Sequence, residues 1–290
     1  MSGRATTSLA LTYVGHSTVL LEMDGVRLLT DPLLRRRVGA LVRRGPAPAP
    51  DVRRDLGAVL VSHAHLDHLD VPSLRLVDRR TPVVVPRGLG RLLRRLGFAP
   101  LEVDAGDVVE VGPAGAGEGG SRLRVVAVRA DHGGTRHPLA PDAPALGYVV
   151  EGGLRVYFAG DTGLFDGMSE LSPLDVAVLP VGGWGPRLPD DHLGPLTAAR
   201  ALGLLRPAAC VPVHWGTVYP PWLPPALNAK WGEWPRAFAR YAAHLVPEVD
   251  VRIVPPGETT RFGDRGRDDG AAAEPGAGAA AAVADAERRP

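Results

Sequence analysis

The sequence predicts an α/β protein with a functional site at the carboxyl ends of its strands. Residues 58–61 form a short apolar run, which is typical of a buried strand. The loop that follows contains His63, His65 and His68 together with Asp67. Because α/β proteins place their sites in the loops after parallel strands, this histidine-rich loop is the first candidate for function.

The composition narrows the class of protein. The chain has 290 residues, of which 45% are hydrophobic, and its net charge of +1 indicates no nucleic-acid partner. Cys210 is the only cysteine, which excludes an intrachain disulfide and a metal site built from several thiolates. The first residues lack the apolar core of a secretion signal, and no apolar run has the length of a membrane span. We therefore expect a cytoplasmic protein without a membrane span.

The first part of the chain predicts strands followed by a long loop. Apolar runs separated by turn residues predict strands at 9–13, 18–22 and 26–30. Asp24-Gly25, between the last two, is a strong hairpin signal. Residues 32–56 are rich in Pro and Arg and lack periodicity, which predicts a long loop near the site. The arginines in this loop, at 35–37 and 43–44, are interpreted as a solvated surface.

The rest of the chain alternates between strand and helix signals. Strands are predicted at 57–62, 83–85, 101–103, 108–111, 123–128, 146–150, 154–158, 175–179, 208–213 and 249–254. Helices are predicted at 72–77, 88–96, 195–205 and 226–245, the last interrupted at Gly232 and Pro235. We expect one domain over residues 1–262. The Ala/Gly-rich segment 263–290 cannot bury enough apolar surface to fold, so we expect a disordered tail.

Three further potential ligands each follow a predicted strand directly. They are His132, Asp161 and His214, and Gly160 and Gly163 allow a tight turn around the aspartate. Because neutral imidazole and carboxylate bind Zn²⁺ and similar ions, we predict two metal positions. The first would be bound by His63, His65 and His132, the second by Asp67, His68 and His214, and Asp161 would bridge them.

This ligand set predicts a metal-dependent hydrolase. Two divalent ions about 3.5–4 Å apart can lower the pKa of a bound water to about 7, so a bridging hydroxide becomes a nucleophile at neutral pH. It would attack an ester, lactone or phosphodiester, and Asp67 would also help to orient the water. Zn²⁺ is the expected metal and Mn²⁺ the alternative. No serine or cysteine nucleophile is needed.

These residues resemble the five ordered motifs of the metallo-β-lactamase superfamily. The match extends over residues 9–262 and comprises Asp31, the cluster at 63–68, His132, Asp161 and His214. Several short motifs are similar to the branch that contains N-acylphosphatidylethanolamine phospholipase D and ascorbate-6-phosphate lactonase. These are Gly15-His16-Ser17-Thr18, Thr30-Asp31-Pro32, Gly160-Asp161-Thr162, Gly185-Pro186-Arg187 and His214-Trp215-Gly216-Thr217.

The resemblance implies a four-layer αββα sandwich with the metals at one edge. It implies that Asp31 supports the metal site from beneath, although a plain turn residue before Pro32 is the alternative. It also implies that His192 faces the substrate, where it would bind the substrate or protonate the leaving group; the alternative is a residue at a helix N-terminus.

Three other residues are candidates on their own chemistry. His16 could orient a neighbouring loop by hydrogen bonding. The guanidinium of Arg187 could pair with a substrate phosphate or form a structural ion pair. Trp184 could line a pocket or cover the core. The expected partner is a small-molecule or lipid-like ester or phosphodiester, and a homo-oligomer is compatible with the sequence.

Two other functions remain open at this point. Relatives that bind iron use a similar site for sulfur or oxygen chemistry, so a mononuclear iron oxidoreductase is the first alternative. The second is a non-catalytic accessory protein that binds metal only for stability. Metal content and turnover separate the three hypotheses.

Overall fold

The computed structural model describes residues 8–45, 47–115, 120–133, 143–183, 188–222 and 232–263. Its strands are β1 (Ser8–Gly15), β2 (Thr18–Met23), β3 (Val26–Thr30), β4 (Arg37–Val38), β5 (Leu41–Arg43), β6 (Ala58–Leu60), β7 (Pro82–Pro86), β8 (Ala99–Val103), β9 (Val108–Val111), β10 (Leu123–Arg129), β11 (Leu146–Glu151), β12 (Arg155–Phe158), β13 (Leu174–Pro180), β14 (Pro207–Val213), β15 (Val218–Tyr219), β16 (Asp250–Val251) and β17 (Thr259–Gly263). The α-helices are α1 (Val71–Leu74), α2 (Gly90–Arg95), α3 (Pro195–Leu205) and α4 (Trp234–Leu245).

Two seven-stranded mixed sheets form the body of the molecule. The first has the spatial order β17-β1-β2-β3-β6-β7-β8, and the second has the order β16-β14-β13-β12-β11-β10-β9. The Asp24-Gly25 hairpin joins β2 to β3 as predicted, with Met23 opposite Val26. A small third sheet has the order β15-β5-β4.

The two large sheets pack face to face, with helices on their outer faces. Strand β13 illustrates how the sequence produces these layers, because its side chains point alternately to opposite faces of the sheet. Val176 and Val178 are buried in the core between the sheets. Ala177 and Leu179 face the other way and pack with buried residues of α3 and α4. Helices α1 and α2 cover the outer face of the first sheet. The expected αββα sandwich is therefore confirmed.

The strands that precede the predicted ligands all end at one edge of the sandwich. In the first sheet β3, β6 and β7 are parallel, and in the second β12, β13 and β14 are parallel. Two backbone hydrogen bonds join the sheets at this edge. Leu146 N donates to Ser62 O at 2.9 Å, and His214 N donates to His16 O at 2.8 Å. The loops of both sheets are thereby held opposite one another.

The expectation of an irregular loop over residues 32–56 was wrong in part. The segment contains the β4–β5 hairpin and a 3₁₀ turn at Pro50–Arg53. Strand β5 pairs with β15, and buried side chains of Leu33, Val38, Leu41 and Val218 form a small cluster. Strands of two or three residues are too short to show an alternating pattern, so periodicity did not reveal them.

Arg43 also differs from the solvated arginine that the sequence suggested. Its side chain is 2% exposed. The guanidinium donates to the backbone carbonyls of Val14 at 3.2 Å and of Leu33. Arg43 therefore ties the end of β1 to the segment after β3, close to the loop that contains His16.

The C-terminal part needs three corrections. The strand predicted at 249–254 is only β16, and a further strand, β17, pairs with β1. Helix α4 begins at Trp234, and Pro235 lies in its first turn, where proline has no hydrogen bond to lose. Residues 223–231 lie outside the described residues, and so does the predicted tail at 263–290 except for Gly263, which ends β17. Within the described ranges, none of the helices is long and apolar enough to cross a membrane.

Candidate metal centre

Three histidine nitrogens converge where the first metal position was predicted. His63 Nε2 lies 2.9 Å from His65 Nδ1, which in turn lies 3.2 Å from His132 Nε2. The first two histidines follow β6 of the first sheet, and His132 follows β10 of the second. The fold thus brings together residues that are 67 positions apart. Such a cluster of imidazole nitrogens is suited to a Zn²⁺-like ion.

The residues predicted for the second position lie beside this group. Asp67, His68 and His214 form a cluster with His16, in which one ligand atom of each lies within 4.8 Å of the others. Asp67 Oδ2 is 3.0 Å from His16 Nε2 and 4.0 Å from His68 Nε2. The His16 ring lies over the His214 ring with 4.0 Å between centroids. His16, which we expected beside the metal site as a residue that could orient a neighbouring loop, contacts two of the predicted ligands.

Asp161 lies between the two groups. On the side of the second group, its Oδ2 is 3.2 Å from His68 Nε2 and its Oδ1 is 3.4 Å from His214 Nε2. On the side of the first group, a carboxylate oxygen lies within 4.8 Å of a ligand nitrogen of His63 and of His132. Gly160 makes this position possible, because its φ is +62° and a Cβ atom there would be 2.6 Å from Ser62 Cβ. Glycine alone adopts such a conformation readily and leaves room for so close an approach.

Hydrogen bonds at Nδ1 orient four of the imidazole rings. His68 Nδ1 donates to Asp31 Oδ2 at 2.7 Å, His214 Nδ1 to Gly182 O at 2.9 Å, and His132 Nδ1 to Asp191 O at 3.1 Å. His63 Nδ1 lies 2.9 Å from Ser62 Oγ, which donates to Asp31 Oδ2 at 2.6 Å. Partners of this kind fix the tautomer of a metal-ligating histidine and leave its Nε2 free for the ion.

Three of these residues adopt left-handed backbone conformations directly after a strand. His16 has φ 60°, Asp31 φ 33° and His214 φ 62°. Each such residue costs about 1–3 kcal/mol and requires surrounding structure to hold it. Here Asp31 N donates to Leu60 O at 2.9 Å, and His16 N donates to Thr217 Oγ1 at 2.8 Å. The sharp turns direct these side chains into the centre.

Burial and neighbouring charges shift the pKa values of the centre in opposite directions. Burial, with the charge of His68, lowers the pKa of His63 well below 6.5, and burial lowers that of His214 to about 3. Burial opposes the charge of His68, but the carboxylates of Asp161 and Asp31 outweigh it and raise its pKa well above 6.5. Burial likewise raises the pKa of Asp161, but the adjacent histidines outweigh it and hold the carboxyl ionised.

The residues present fit a bound metal. Among the residues that the structure describes, His68 Nε2, His214 Nε2 and Asp161 Oδ1 are buried ligand atoms without a hydrogen-bond partner. Unpaired buried polar atoms are costly, so their convergence at one point indicates a ligand that completes them. Neutral His63 and His214 and ionised Asp161 are already in the protonation states that a metal ion requires. Burial lowers the pKa of His68, but Asp161 and Asp31 outweigh it and raise that pKa, so His68 would release a proton when an ion binds.

For the metal-free protein we expect maximal stability near pH 6.5. Below that pH, unfolded His63 and His214 bind protons that the folded chain excludes, so the free energy of unfolding falls as the pH decreases toward 3. Burial lowers the pKa of His192, but Asp161 and Asp191 raise it to about 9, so its stabilising contribution is lost as the pH rises from 6.5 through 9. Thermal unfolding of chelator-treated protein between pH 4 and 10 measures this; a melting temperature that is constant from pH 7 to 5 would contradict it.

Of the three remaining predicted site residues, the structure describes one. His192 lies at the centre, with Nε2 3.5 Å from Asp161 Oδ2. Trp184 and Arg187 lie outside the described residues. Two contacting residues were missed by the sequence analysis, Ser62 and Asp191. Each directly precedes a predicted site residue. The signal in the sequence was therefore a polar side chain next to such a residue.

Comparisons with known proteins agree with this fold. The family described as the beta-lactamase superfamily domain matches residues 26–215. The chain is 32% identical over 253 residues to a UPF0173 metal-dependent hydrolase of Opitutus terrae, covering 86% of this chain and 98% of that protein. It is 31% identical over 231 residues to N-acyl-phosphatidylethanolamine-hydrolyzing phospholipase D 1 of Caenorhabditis elegans, covering 72% of this chain and 64% of that enzyme.

A solved structure shares the same architecture. Igni18, a metallo hydrolase from Ignicoccus hospitalis, superposes with a TM-score of 0.63 at 23% identity, covering 88% of this chain and 98% of that chain. Fold, ligand cluster and family match agree, and the chain belongs to the metallo-β-lactamase superfamily. It is a metal-dependent hydrolase of this fold.

Proposed function

We propose that the centre holds two divalent metal ions, with zinc the expected metal and manganese the alternative. We propose that it hydrolyses a phosphodiester or ester bond in a small or lipid-like substrate. The observation that carries this proposal is the division of the ligand atoms into two groups on either side of Asp161. His63, His65 and His132 form one group, and Asp67, His68 and His214 belong to the other. Bound ions would lower the pKa of a water molecule and polarise the scissile bond, which supplies a nucleophile near neutral pH.

The contacts of Asp31 and His16 support a role in orienting the ligands. Asp31 accepts hydrogen bonds from His68 and, through Ser62, holds His63. His16 Nε2 lies within hydrogen-bond distance of Asp67 Oδ2, so it sets the orientation of that carboxylate. The backbone strain at both residues is explained if their side chains must occupy these positions.

His192 is proposed as the residue that faces the substrate. Its side chain is about one-fifth exposed, at 21%, whereas Asp161 beside it is 3% exposed. With a pKa raised to about 9 by Asp161 and Asp191 against the effect of burial, its imidazole carries a proton at neutral pH in the metal-free protein. Nε2 is therefore suited to bind a substrate oxygen or to protonate the leaving group.

A phosphodiester of lipid character is the substrate that the comparisons and the surface favour. The Caenorhabditis elegans relative is named for hydrolysis of N-acyl-phosphatidylethanolamine. Two leucines beside the ligands have exposed side chains, Leu66 at 51% and Leu164 at 37%. Apolar surface next to a charged centre suits a substrate with a polar reacting group and an apolar chain.

Metal analysis and a substrate panel test this proposal. Protein purified without added metal is analysed by mass spectrometry for zinc, manganese and iron. Turnover is then measured with bis-p-nitrophenyl phosphate, p-nitrophenyl acetate, a simple lactone and N-acylphosphatidylethanolamine vesicles. We expect two equivalents of zinc or manganese and chelator-sensitive hydrolysis of a phosphodiester.

The other outcomes separate the alternatives. Hydrolysis of only the lactone would overturn the phosphodiester assignment and keep the dinuclear hydrolase. One iron per chain without hydrolysis would favour an oxidoreductase. Full metal occupancy without turnover of any compound would favour an accessory role.

A further inference from the structure

Asp191 contacts two histidines of the centre at once. Its Oδ1 accepts a hydrogen bond from His192 Nδ1 at 2.9 Å. Its backbone carbonyl accepts from His132 Nδ1 at 3.1 Å, and its Oδ2 lies 3.1 Å from the same nitrogen. A fourth contact, from Gly133 N to Oδ2 at 3.3 Å, holds the carboxylate in place. One residue therefore connects a proposed metal ligand with the proposed substrate-facing side chain.

The fold places Asp191 here by packing its backbone against the turn after Asp161. A Cβ atom on Gly163 would lie 2.7 Å from Asp190 O and 3.2 Å from Asp191 Cα, so only glycine permits this approach. Gly163 N donates to Asp131 O at 2.8 Å, which fixes the turn against the residue before His132. The position of Asp191 is thus built from the same two strand ends that supply His132 and Asp161.

We propose that Asp191 is a positioning residue, which holds His192 with its Nε2 directed toward Asp161 and the substrate. An imidazole that donates from Nδ1 presents Nε2 on the opposite side of the ring, so the carboxylate determines which nitrogen meets the substrate. This inference rests on the proposed function, in which His192 faces the substrate, because it names Asp191 as the residue that supports His192.

Asp191→Asn is the informative variant, and Asp190→Asn is its matched control. The amide keeps the shape of the side chain but loses the charge, and it has only one oxygen to accept from the imidazole. Asp190 is an exposed carboxylate one position earlier, so its variant changes the same charge without touching the centre.

We expect Asp191→Asn to lower kcat for the phosphodiester by about 10- to 100-fold, the scale found when the partner of a functional histidine is removed. Zinc affinity, measured by chelator competition, should fall by less than roughly tenfold, because the backbone carbonyl of residue 191 still accepts from His132. Asp190→Asn should match the wild type in both measurements.

A double-mutant cycle with His192→Ala distinguishes positioning from a general structural effect. If Asp191 acts through His192, the loss in kcat caused by Asp191→Asn should disappear in the His192→Ala background. An equal loss in both backgrounds would overturn the proposal. So would equal kcat values for Asp191→Asn and Asp190→Asn in an otherwise active enzyme, which would leave the proposed function intact.

Proton NMR supplies a measurement that does not depend on turnover. In zinc-loaded protein labelled with ¹⁵N-histidine, a hydrogen-bonded Nδ1 proton of His192 should appear in the wild type and in Asp190→Asn. It should be absent from His192→Ala and lost or strongly shifted in Asp191→Asn. An unchanged resonance in Asp191→Asn would overturn the inference, whether or not any substrate is hydrolysed. Absence of hydrolysis with every substrate would instead contradict the proposed function.

Discussion

Asp161→Asn is expected to lower hydrolysis by about a hundred- to a thousandfold while the fold remains intact. The carboxylate lies 3.2 Å from His68 Nε2 and 3.4 Å from His214 Nε2 of one ligand group. It also lies within 4.8 Å of ligand nitrogens of His63 and His132, which belong to the other group. Asparagine keeps the volume but removes the charge that serves both groups, and loss of one main electrostatic stabiliser costs roughly 10²- to 10³-fold in rate. Initial rates with bis-p-nitrophenyl phosphate and the zinc content of the variant measure the effect.

Asp166→Asn is the control for this variant. Asp166 is exposed and lies five positions later in a 3₁₀ turn, so we expect wild-type turnover and zinc content. Circular dichroism of both variants reports whether the fold is kept. More than a tenth of the wild-type rate in a folded Asp161→Asn protein would rule out the proposed role of this carboxylate.

Asp31→Asn is expected to have the largest effect on stability, about 3–5 kcal/mol in the free energy of unfolding of the metal-free protein. Asp31 is fully buried and accepts from Ser62 N at 2.7 Å, from Ser62 Oγ at 2.6 Å and from His68 Nδ1 at 2.7 Å. Removing one partner of a buried ion pair leaves the other charge uncompensated, which has a cost of this size. Denaturant unfolding of chelator-treated protein measures it.

Zinc affinity should fall in the same variant by about 10- to 100-fold, because Asp31 orients two proposed ligands through His68 and Ser62. Asp51→Asn provides the comparison. Asp51 also faces a cation, since its Oδ2 is 3.4 Å from Arg27 Nη2, but its side chain is 73% exposed. Exposed pairs contribute little, so its stability and zinc affinity should be close to the wild type. Equal effects of the two variants would contradict the assigned role of Asp31.

Local sequence signals were sufficient for most of the elements near the site. The strand before the histidine cluster, the Asp24-Gly25 hairpin and helix α3 each depend on residues within a few positions of one another, so their patterns are legible in the sequence. Elements stabilised only by distant partners were missed. Strand β17 follows a predicted last strand and pairs with β1, about 250 residues earlier in the chain, and no local pattern encodes that pairing.

The sequence by itself determined which side chains are available as ligands and the order in which strands deliver them. It also indicated the family, because histidine and aspartate at successive strand ends form a pattern along the chain. Only the tertiary structure decided how these residues meet. His16 reaches Asp67 across 51 positions, His132 reaches Asp191 across 59, and Ser62 reaches Asp31 across 31. Such contacts depend on how two sheets pack and where each strand ends, and that geometry is set by the whole core.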